Sequence, residues 1–272
     1  MKKEPKVVYY SDSANDDFAG TNINQKSVDS NFKFVHTNPI WRGCSFLLYY
    51  LVAIPLVWIY TKIVFGLKIK NKKSLKQLKK QPCFLYGNHT GYIDAFSPNL
   101  IGLPKRNKII VGADTVSIKG LKNLTQMLGA LPIPTGSSGM KEFLRAVDHY
   151  HKKGFNITIY PEAHIWPYYT GVREFGDTSF AYPVKLNSPV VAFFTAYTKP
   201  KGVFGFLRKV NTTVYVSEPF YPNPEKNKKE AQKELRDKVF NFMKECSEKY
   251  SNYEVVVYKH ISEKPENSEN IE

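Results

Sequence analysis

Short β-strand patterns alternate with helical patterns from residue 82 onwards, and this alternation constrains the fold more than any other feature. The strand patterns are rich in β-branched and aromatic residues. They lie at 82–87, 108–113, 156–161, 189–197, 212–220 and 253–258. Amphipathic helical patterns lie at 93–101, 121–128, 140–147 and 231–250. Because strands that alternate with helices form parallel sheets, the sequence predicts an α/β fold with a mostly parallel mixed sheet flanked by helices.

Residues 43–61 contain no charged side chain and precede most of this pattern. Their length is near the lower limit of the roughly 17–25 residues that a transmembrane helix needs. Pro55 is expected to kink or break a helix at that point. The segment is therefore predicted to form a spanning helix or a re-entrant helical hairpin. A buried core helix is the alternative.

The chain is strongly basic, with a formal net charge of +15, and seven lysines lie between residues 68 and 80. A polybasic stretch directly after an apolar segment is typical of proteins on an anionic cytoplasmic leaflet. We therefore expect an integral or monotopic protein on the cytoplasmic face of a membrane, with anionic lipids as partners. Nucleic acid is not an expected partner, because no RNA-binding signature accompanies the basic residues.

The composition also predicts how the chain is divided. Residues 1–40 carry both charge signs and are interpreted as a polar, peripheral extension; residues 41–67 as the membrane segment; 68–260 as the catalytic domain; and 261–272 as a disordered tail. The three cysteines have no metal-binding or disulfide spacing, which favours a reducing compartment. Cys83 lies in an apolar run and is interpreted as a core thiol.

Ionisable residues follow two of the predicted strands. His89 and Asp94 come after the first strand, and Glu162 and His164 follow the strand that ends at Tyr160. Side chains five residues apart on a regular helix point in different directions. The His89 and Asp94 side chains can meet only across a turn, and Gly91 is a residue that can form one. Open α/β sheets bind ligands beyond the carboxyl ends of strands, where both clusters are predicted to lie.

Three blocks of this region resemble a known family. NHTGYID (88–94) is similar to the histidine-x4-aspartate block of the 1-acyl-glycerol-3-phosphate acyltransferases, a family of glycerolipid acyltransferases. TIYPEAH (158–164) resembles the family's Phe-Pro-Glu-Gly-Thr-Arg block, and NSPVVAF (187–193) resembles its proline-containing fourth block. The resemblance covers roughly residues 67–218, and the first block is its most specific part.

The resemblance implies an O-acyltransferase of phospholipid biosynthesis. His89 would take the proton of an acceptor hydroxyl, and Asp94 would hold the other ring nitrogen. The acyl group would come from acyl-CoA or acyl-carrier-protein as co-substrate, with no other cofactor and no metal. The acceptor would be 1-acyl-glycerol-3-phosphate or a related lyso-phospholipid, and the product phosphatidic acid.

The chain departs from the family where the acceptor's phosphate is bound. The family's second block ends in an arginine, whereas this chain has Leu-Gly-Ala-Leu-Pro-Ile-Pro at 128–134. In the third block, Ala163, His164 and Ile165 replace glycine, threonine and arginine. Backbone N–H groups of the Gly/Ser-rich stretch 134–139 could hold an anion instead. The predicted substrate-binding residues are therefore Asn88, Glu162, His164, Ser137, Ser138, Lys141, Arg145 and Arg173.

Two alternative functions use the same residues differently. A metal-dependent hydrolase could use His89, Asp94, Glu162 and His164, although no tight metal-binding spacing supports it. A non-catalytic, basic membrane-binding protein would depend on the lysines and have no use for His89.

Overall fold

The computed structural model describes residues 4–19 and 23–263. The strands are β1 (Lys6–Tyr10), β2 (Lys68–Lys70), β3 (Phe84–Gly87), β4 (Asn107–Val111), β5 (Ala130–Pro132), β6 (Asn156–Ile159), β7 (Val190–Thr198), β8 (Asn211–Val216) and β9 (Val256–His260). The α-helices are α1 (Pro39–Leu47), α2 (Ile54–Val64), α3 (Ser97–Gly102), α4 (Lys122–Leu128), α5 (Met140–Lys152), α6 (Ala181–Leu186) and α7 (Lys228–Tyr250). Short 3-10 helices lie at Lys72–Leu78, Tyr92–Ala95, Ala113–Val116, Thr178–Phe180, Gly205–Leu207 and Ile261–Glu263.

Seven strands form the main sheet, in the order β2-β8-β7-β3-β6-β4-β5. Neighbouring strands from β7 to β5 are parallel, while β8 runs antiparallel to β7 and pairs with β2 in parallel. The predicted fold class is therefore confirmed: a mostly parallel mixed sheet with helices on its faces. The carboxyl ends of β3 and β6, where the ionisable residues follow, lie side by side at one edge.

The sheet is buried on both faces. Helices α5, α6 and α7 cover one apolar layer, and α2, α3 and the 3-10 helix Lys72–Leu78 cover the other. Cys83 is fully buried in the second layer, and burial raises the pKa of its thiol to about 12. Gly87 ends the central strand β3, where a Cβ atom would lie 2.1 Å from the ring of Phe193. Only glycine allows this close approach, and it brings β3 against β7 just before His89.

Residues 39–64 form one continuous helix, with a π-helical segment (Leu48–Ala53) between α1 and α2. The expected break at Pro55 is wrong, and so is the helical hairpin. Pro55 occupies the second position of α2, and the π-helical turns before it adjust the backbone to the missing N–H donor. The helix is long and apolar enough to cross a membrane, and only 11% of its most apolar window is buried. The alternative of a core helix is therefore also wrong.

Within residues 4–19 and 23–40, part of the chain belongs to the core, which corrects the interpretation of this segment as peripheral. Val28, Phe32 and Phe34 are buried in the same apolar layer as α5. Strand β1 pairs in parallel with β9 in a separate two-stranded sheet. Among residues 4–19 and 23–40, these three side chains are the buried members of that layer, and the surrounding polar composition gave no sign of their contacts.

The lysine-rich stretch after α2 is ordered into β2 and a 3-10 helix rather than a loose polybasic loop. Leu78 anchors it in the core, and Lys72 Nζ donates a hydrogen bond to Leu100 O at 2.6 Å. Helix α5 begins after Gly139, which has a backbone φ of 92°. Of the predicted disordered tail, residues 264–272 lie outside the described residues.

Candidate active site

His89 and Asp94 are in contact at the carboxyl end of β3. The distance between His89 Nδ1 and Asp94 Oδ2 is 2.8 Å. The Asp94 side chain is 2% exposed, whereas that of His89 is 17% exposed. His89 Nε2 makes no hydrogen bond to any residue that the structure describes. One ring nitrogen is therefore fixed by a carboxylate while the other is available to a substrate.

The turn between the two residues is formed by the carboxylate itself. Asp94 Oδ2 accepts hydrogen bonds from the backbone N–H groups of Thr90 at 2.7 Å and Gly91 at 3.0 Å. Gly91 lies in this turn as expected, but its backbone is extended with φ of 164°, so the turn does not depend on a left-handed glycine conformation. The 3-10 helix Tyr92–Ala95 follows directly and carries Asp94 back to the imidazole.

Two tyrosines, the partly buried Tyr160 and the buried Tyr197, hold this pair, and the sequence analysis missed both. The ring of Tyr160 stacks on His89 with centroids 4.4 Å apart, and its hydroxyl donates to Asp94 O at 2.6 Å. The hydroxyls of Tyr197 and Thr90 lie 2.8 Å apart. Tyr160 is the last residue of the strand pattern before the Pro-Glu block. Its position next to the candidate site is the sequence signal that could have identified it. The stacked ring limits rotation of the imidazole.

Glu162 supports the backbone of the site. It is 3% exposed, and its carboxylate accepts from the backbone N–H of His89 at 3.2 Å and of Arg173 at 3.2 Å. Burial raises the pKa of Glu162, and the Arg173 charge opposes that shift. The prediction that Glu162 binds substrate directly is wrong, because its oxygens are directed into the protein.

Arg173 is likewise internal, which overturns its predicted role as a phosphate ligand. Its side chain is 2% exposed, and Nη2 lies 3.4 Å from Glu162 Oε2 and 3.1 Å from Glu162 O. Nη2 also donates to His164 O, and Nη1 donates to Ser13 O at 3.2 Å. Arg173 thus ties the Pro-Glu loop to the N-terminal segment.

Asn88 and His164 differ in what they can do. Asn88 is fully buried and exchanges two hydrogen bonds with the Thr195 backbone, at 2.7 and 3.2 Å. It joins the end of β3 to β7, so its predicted role in substrate binding is wrong. His164 keeps 37% of its side chain exposed, and its Nδ1 lies 3.7 Å from Asp17 Oδ2. An acidic neighbour makes this position a poor one for a phosphate.

The remaining predicted phosphate ligands lie away from His89. Ser137, Ser138, Lys141 and Arg145 follow β5, which is three strands from β3, or about 14 Å at the usual strand spacing. The backbone of Asp29 covers this loop so closely that a Cβ on Gly139 would lie 2.6 Å from it. The structure does not bring these four side chains to the His89 site.

A narrow apolar cleft of about 60 Å³ lies beside the pair. Its walls include Gly91 and Ile93 from the His89 turn, Phe65 from the end of α2, and the buried ring of Tyr197. Tyr168 also lines the cleft, and Lys209 Nζ lies 5.8 Å from the Tyr168 ring. The cleft therefore lies between the turn that joins His89 to Asp94 and the end of the apolar helix, and it has a cation nearby.

The four residues of the proposed hydrolase site do not come together as one group, although His89 and Asp94 are in contact. Within residues 4–19 and 23–263, no group of three or more His, Cys, Asp or Glu side chains could hold a metal ion. Glu162 is paired with Arg173, and His164 faces Asp17.

Comparison with known proteins shows which solved structure this fold is similar to. No family model and no curated protein sequence matches the chain. Among solved structures, the chain is similar to the crystal structure of the 1-acyl-sn-glycerophosphate (LPA) acyltransferase PlsC from Thermotoga maritima. The match has a TM-score of 0.55 and 17% sequence identity, and it covers 78% of this chain and 89% of that chain. This chain has the fold of that acyltransferase.

At 17% identity, this similarity shows the fold alone. The resemblance seen in the sequence motifs is confirmed at that level. The predicted sheet and the N-terminal apolar helix are both present in this structure.

Proposed function

We propose that this chain is a membrane-associated acyltransferase of phospholipid synthesis. It moves a fatty acyl group from acyl-CoA or acyl-carrier-protein to the free hydroxyl of 1-acyl-glycerol-3-phosphate or a related lyso-phospholipid. The observation that carries the proposal is the 2.8 Å contact between His89 Nδ1 and Asp94 Oδ2 at the end of a parallel strand. The acyltransferase fold and the apolar cleft beside the pair support it.

The reaction requires only one proton acceptor in the protein. His89 Nε2 takes the proton of the acceptor hydroxyl as its oxygen attacks the thioester carbonyl carbon. The carbon–sulfur bond then breaks, and the leaving thiolate takes that proton from the imidazolium. Asp94 stabilises the imidazolium and fixes which nitrogen is free. Such positioned acid-base catalysis typically contributes about 10²–10⁴ in rate.

Membrane attachment is supported by how the apolar helix packs. One face contacts the domain along most of the helix: Ser45 Oγ donates to Met127 O at 2.9 Å, Tyr49 donates to Asn99 at 3.0 Å, and Thr61 is buried. The opposite face exposes large apolar side chains, including Leu51 at 68% and Leu56 at 60%. A helix held along its length cannot also cross a bilayer, so we infer monotopic insertion into one leaflet.

A second exposed apolar element lies at the end of this helix. Val203 and Phe206 are 85% and 82% exposed in the loop after β7. Arg208 from the same loop donates hydrogen bonds to Lys62 O and Ile63 O, both at 2.7 Å. The loop and the helix therefore form one apolar surface next to the His89 cleft. We infer that this surface faces the cytoplasmic leaflet.

Lys209 is the best-placed cation for the acceptor's phosphate. It is exposed, it lies over the Tyr168 ring at the cleft, and no acidic residue in the described chain forms a salt bridge with it. It takes the place that the sequence analysis gave to Arg173 and to the loop 134–139.

The test is an acyl-transfer assay with the purified full chain in mixed micelles. A labelled acyl thioester is offered with 1-acyl-glycerol-3-phosphate, glycerol-3-phosphate and zwitterionic lyso-lipids, and products are separated by chromatography. Wild type is expected to acylate a lyso-phospholipid in the presence of a chelator. His89→Ala is expected to lose about 10²–10⁴ in kcat.

Equal product from His89→Ala would contradict the mechanism, and loss of activity in chelator would favour the metal-dependent hydrolase. If no acceptor is acylated while the protein still binds vesicles, the non-catalytic membrane-binding alternative is the better explanation. Lys209→Gln is expected to raise the KM for phosphate-bearing acceptors without a matching change for zwitterionic ones.

A further inference from the structure

A second and larger pocket of about 750 Å³ lies at the opposite edge of the sheet from His89. It is formed by residues that precede β4 and β6 and by the first turns of the apolar helix. The basic side chains that line it are Arg42, Lys105, Arg106, Lys108 and Lys153, together with His36 and His149. The two ends of a four-residue strand are about 13 Å apart, so this pocket is separate from the candidate active site.

Lys108 is the deepest of these cations. It is 5% exposed, its Nζ donates to Gln126 O at 3.1 Å, and it lies 4.3 Å from the centroid of the Tyr150 ring. An ammonium carries three donors, and Gln126 is its single oxygen partner within the described chain. Burial and the Arg106 charge lower the pKa of Lys108 to about 7. The groups that face it are Arg106 just before β4, His36 before α1, Gln126 on α4 and Tyr150 on α5.

Arg106 has unused donors at the same place. Its Nη2 donates to Ser45 Oγ at 2.7 Å and to Met127 O at 2.9 Å, but its Nε is buried without a partner among the described residues. The carbonyls of Gln126 and Met127 belong to the last turn of α4, where the helix dipole favours cations. That dipole explains where Arg106 and Lys108 lie, but it cannot neutralise two full charges.

The residues that line this pocket include no aspartate or glutamate. In the described chain, none of the seven basic side chains forms a salt bridge with an acidic residue. Burial lowers the pKa of His36, and the charges of Lys33 and Lys108 lower it further. Burial likewise lowers the pKa of His149, and the charges of Lys153 and Arg42 add to that shift. The pocket therefore holds an excess of positive charge that a bound anion would neutralise.

We propose that this pocket binds the phosphate group of an anionic lipid headgroup. Trp41, Phe46 and Tyr50 from the apolar helix line the same pocket, and Phe46 is 53% exposed. A lipid phosphate held by the cations would thus have its acyl chains beside the exposed face of the helix. The inference rests on the membrane association proposed above, but not on the acyl-transfer reaction.

The test compares two double variants of the full chain that remove the same charge. Arg42→Gln with Lys153→Gln removes two exposed cations of the pocket, and Lys233→Gln with Lys244→Gln removes two exposed cations of α7. Binding is measured by co-sedimentation with phosphatidylcholine vesicles, with and without phosphatidylglycerol, and no thioester is present. The pocket variant is expected to lose about tenfold in affinity for the anionic vesicles, and the α7 variant much less.

Equal losses in both variants would show general surface attraction and overturn the proposal. A parallel titration with inorganic phosphate separates the two sources of phosphate. If phosphate ions bind with the same dependence on Arg42 and Lys153 while phosphatidylglycerol adds nothing, the site takes a free anion and the lipid assignment is wrong. Failure of the acyl-transfer assay would leave these vesicle measurements unaffected.

A buried variant gives a second readout. Burial and the Arg106 charge lower the pKa of Lys108 to about 7, and a bound phosphate would raise it, so binding of phosphatidylglycerol vesicles at pH 8 is expected to take up protons. Calorimetry in buffers of different ionisation enthalpy measures this uptake, and Lys108→Met is expected to abolish it. Thermal unfolding checks that this variant is folded. Binding without proton uptake by wild type would remove Lys108 from the site.

Discussion

At the scale of single residues, the candidate site depends on how the two oxygens of Asp94 are used. Oδ2 accepts from the His89 ring and from two backbone N–H groups, whereas Oδ1 is buried without a hydrogen-bond partner in the described residues. A carboxylate suits this arrangement because it presents acceptors only. An amide would place two N–H donors where no acceptor lies.

The Asp94→Asn variant is therefore expected to remove the charge of the side chain while keeping its hydrogen-bond geometry. The amide oxygen can keep the three hydrogen bonds of Oδ2, but the charge that stabilises the imidazolium is lost. We expect kcat to fall by about 10²–10⁴ with little change in KM. The unpartnered amide N–H groups are expected to cost about 1–3 kcal/mol in the free energy of unfolding.

Steady-state kinetics and chemical denaturation measure these two effects. Asp148→Asn is the matched control, because Asp148 pairs with Lys152 on an exposed surface of α5. A variant at Asp94 that keeps more than about a tenth of the wild-type kcat would show that the carboxylate charge is not used in the reaction.

At the scale of secondary-structure elements, the apolar helix is the feature that sequence alone described least well. Its composition predicted a membrane segment, but Pro55 suggested a break that the π-helical turns avoid. Its contacts with α3 and α4 involve partners 50 to 82 residues away, such as Asn99 and Met127. A window of sequence contains no information on those partners, so it could not distinguish a helix that crosses a bilayer from one that lies on the domain.

Leu56→Glu tests whether the exposed face of this helix enters a bilayer. Leu56 is 60% exposed, so the change has little effect on packing within the protein. A carboxylate held in the acyl region is costly, and we expect vesicle binding to weaken by about tenfold to a hundredfold. Asn241→Glu adds the same charge at an exposed position of α7 and is expected to bind nearly as wild type. Co-sedimentation with vesicles compares the two, and equal binding by both would show that the helix stays in water.

At the scale of the whole molecule, local sequence pattern predicted the sheet but not the long-range contacts that the two ends of the chain make with it. His89 and Asp94 are five residues apart, so their contact depends on a single turn. It could therefore be predicted from the sequence motif. Glu162 and Arg173 are joined through a loop whose path depends on Trp166, which packs against Tyr10 near one end of the chain and Tyr258 near the other. These long-range contacts leave no periodic signal. Arg173 was wrongly predicted as a phosphate ligand for that reason.

The N-terminal segment is expected to be part of the folding unit, and Phe34 tests this. Phe34 is 5% exposed and packs against Phe32 and Phe143, with ring centroids 4.9 and 6.1 Å away. Phe34→Ala would leave a cavity under α5, for which the usual loss in the free energy of unfolding is about 3–5 kcal/mol. Val7→Ala, at a position that is 44% exposed, is the control and should cost no more than about 0.5 kcal/mol. Denaturant unfolding followed by tryptophan fluorescence measures both, and a loss at Phe34 as small as the control would show that residues 23–38 are only loosely attached to the core.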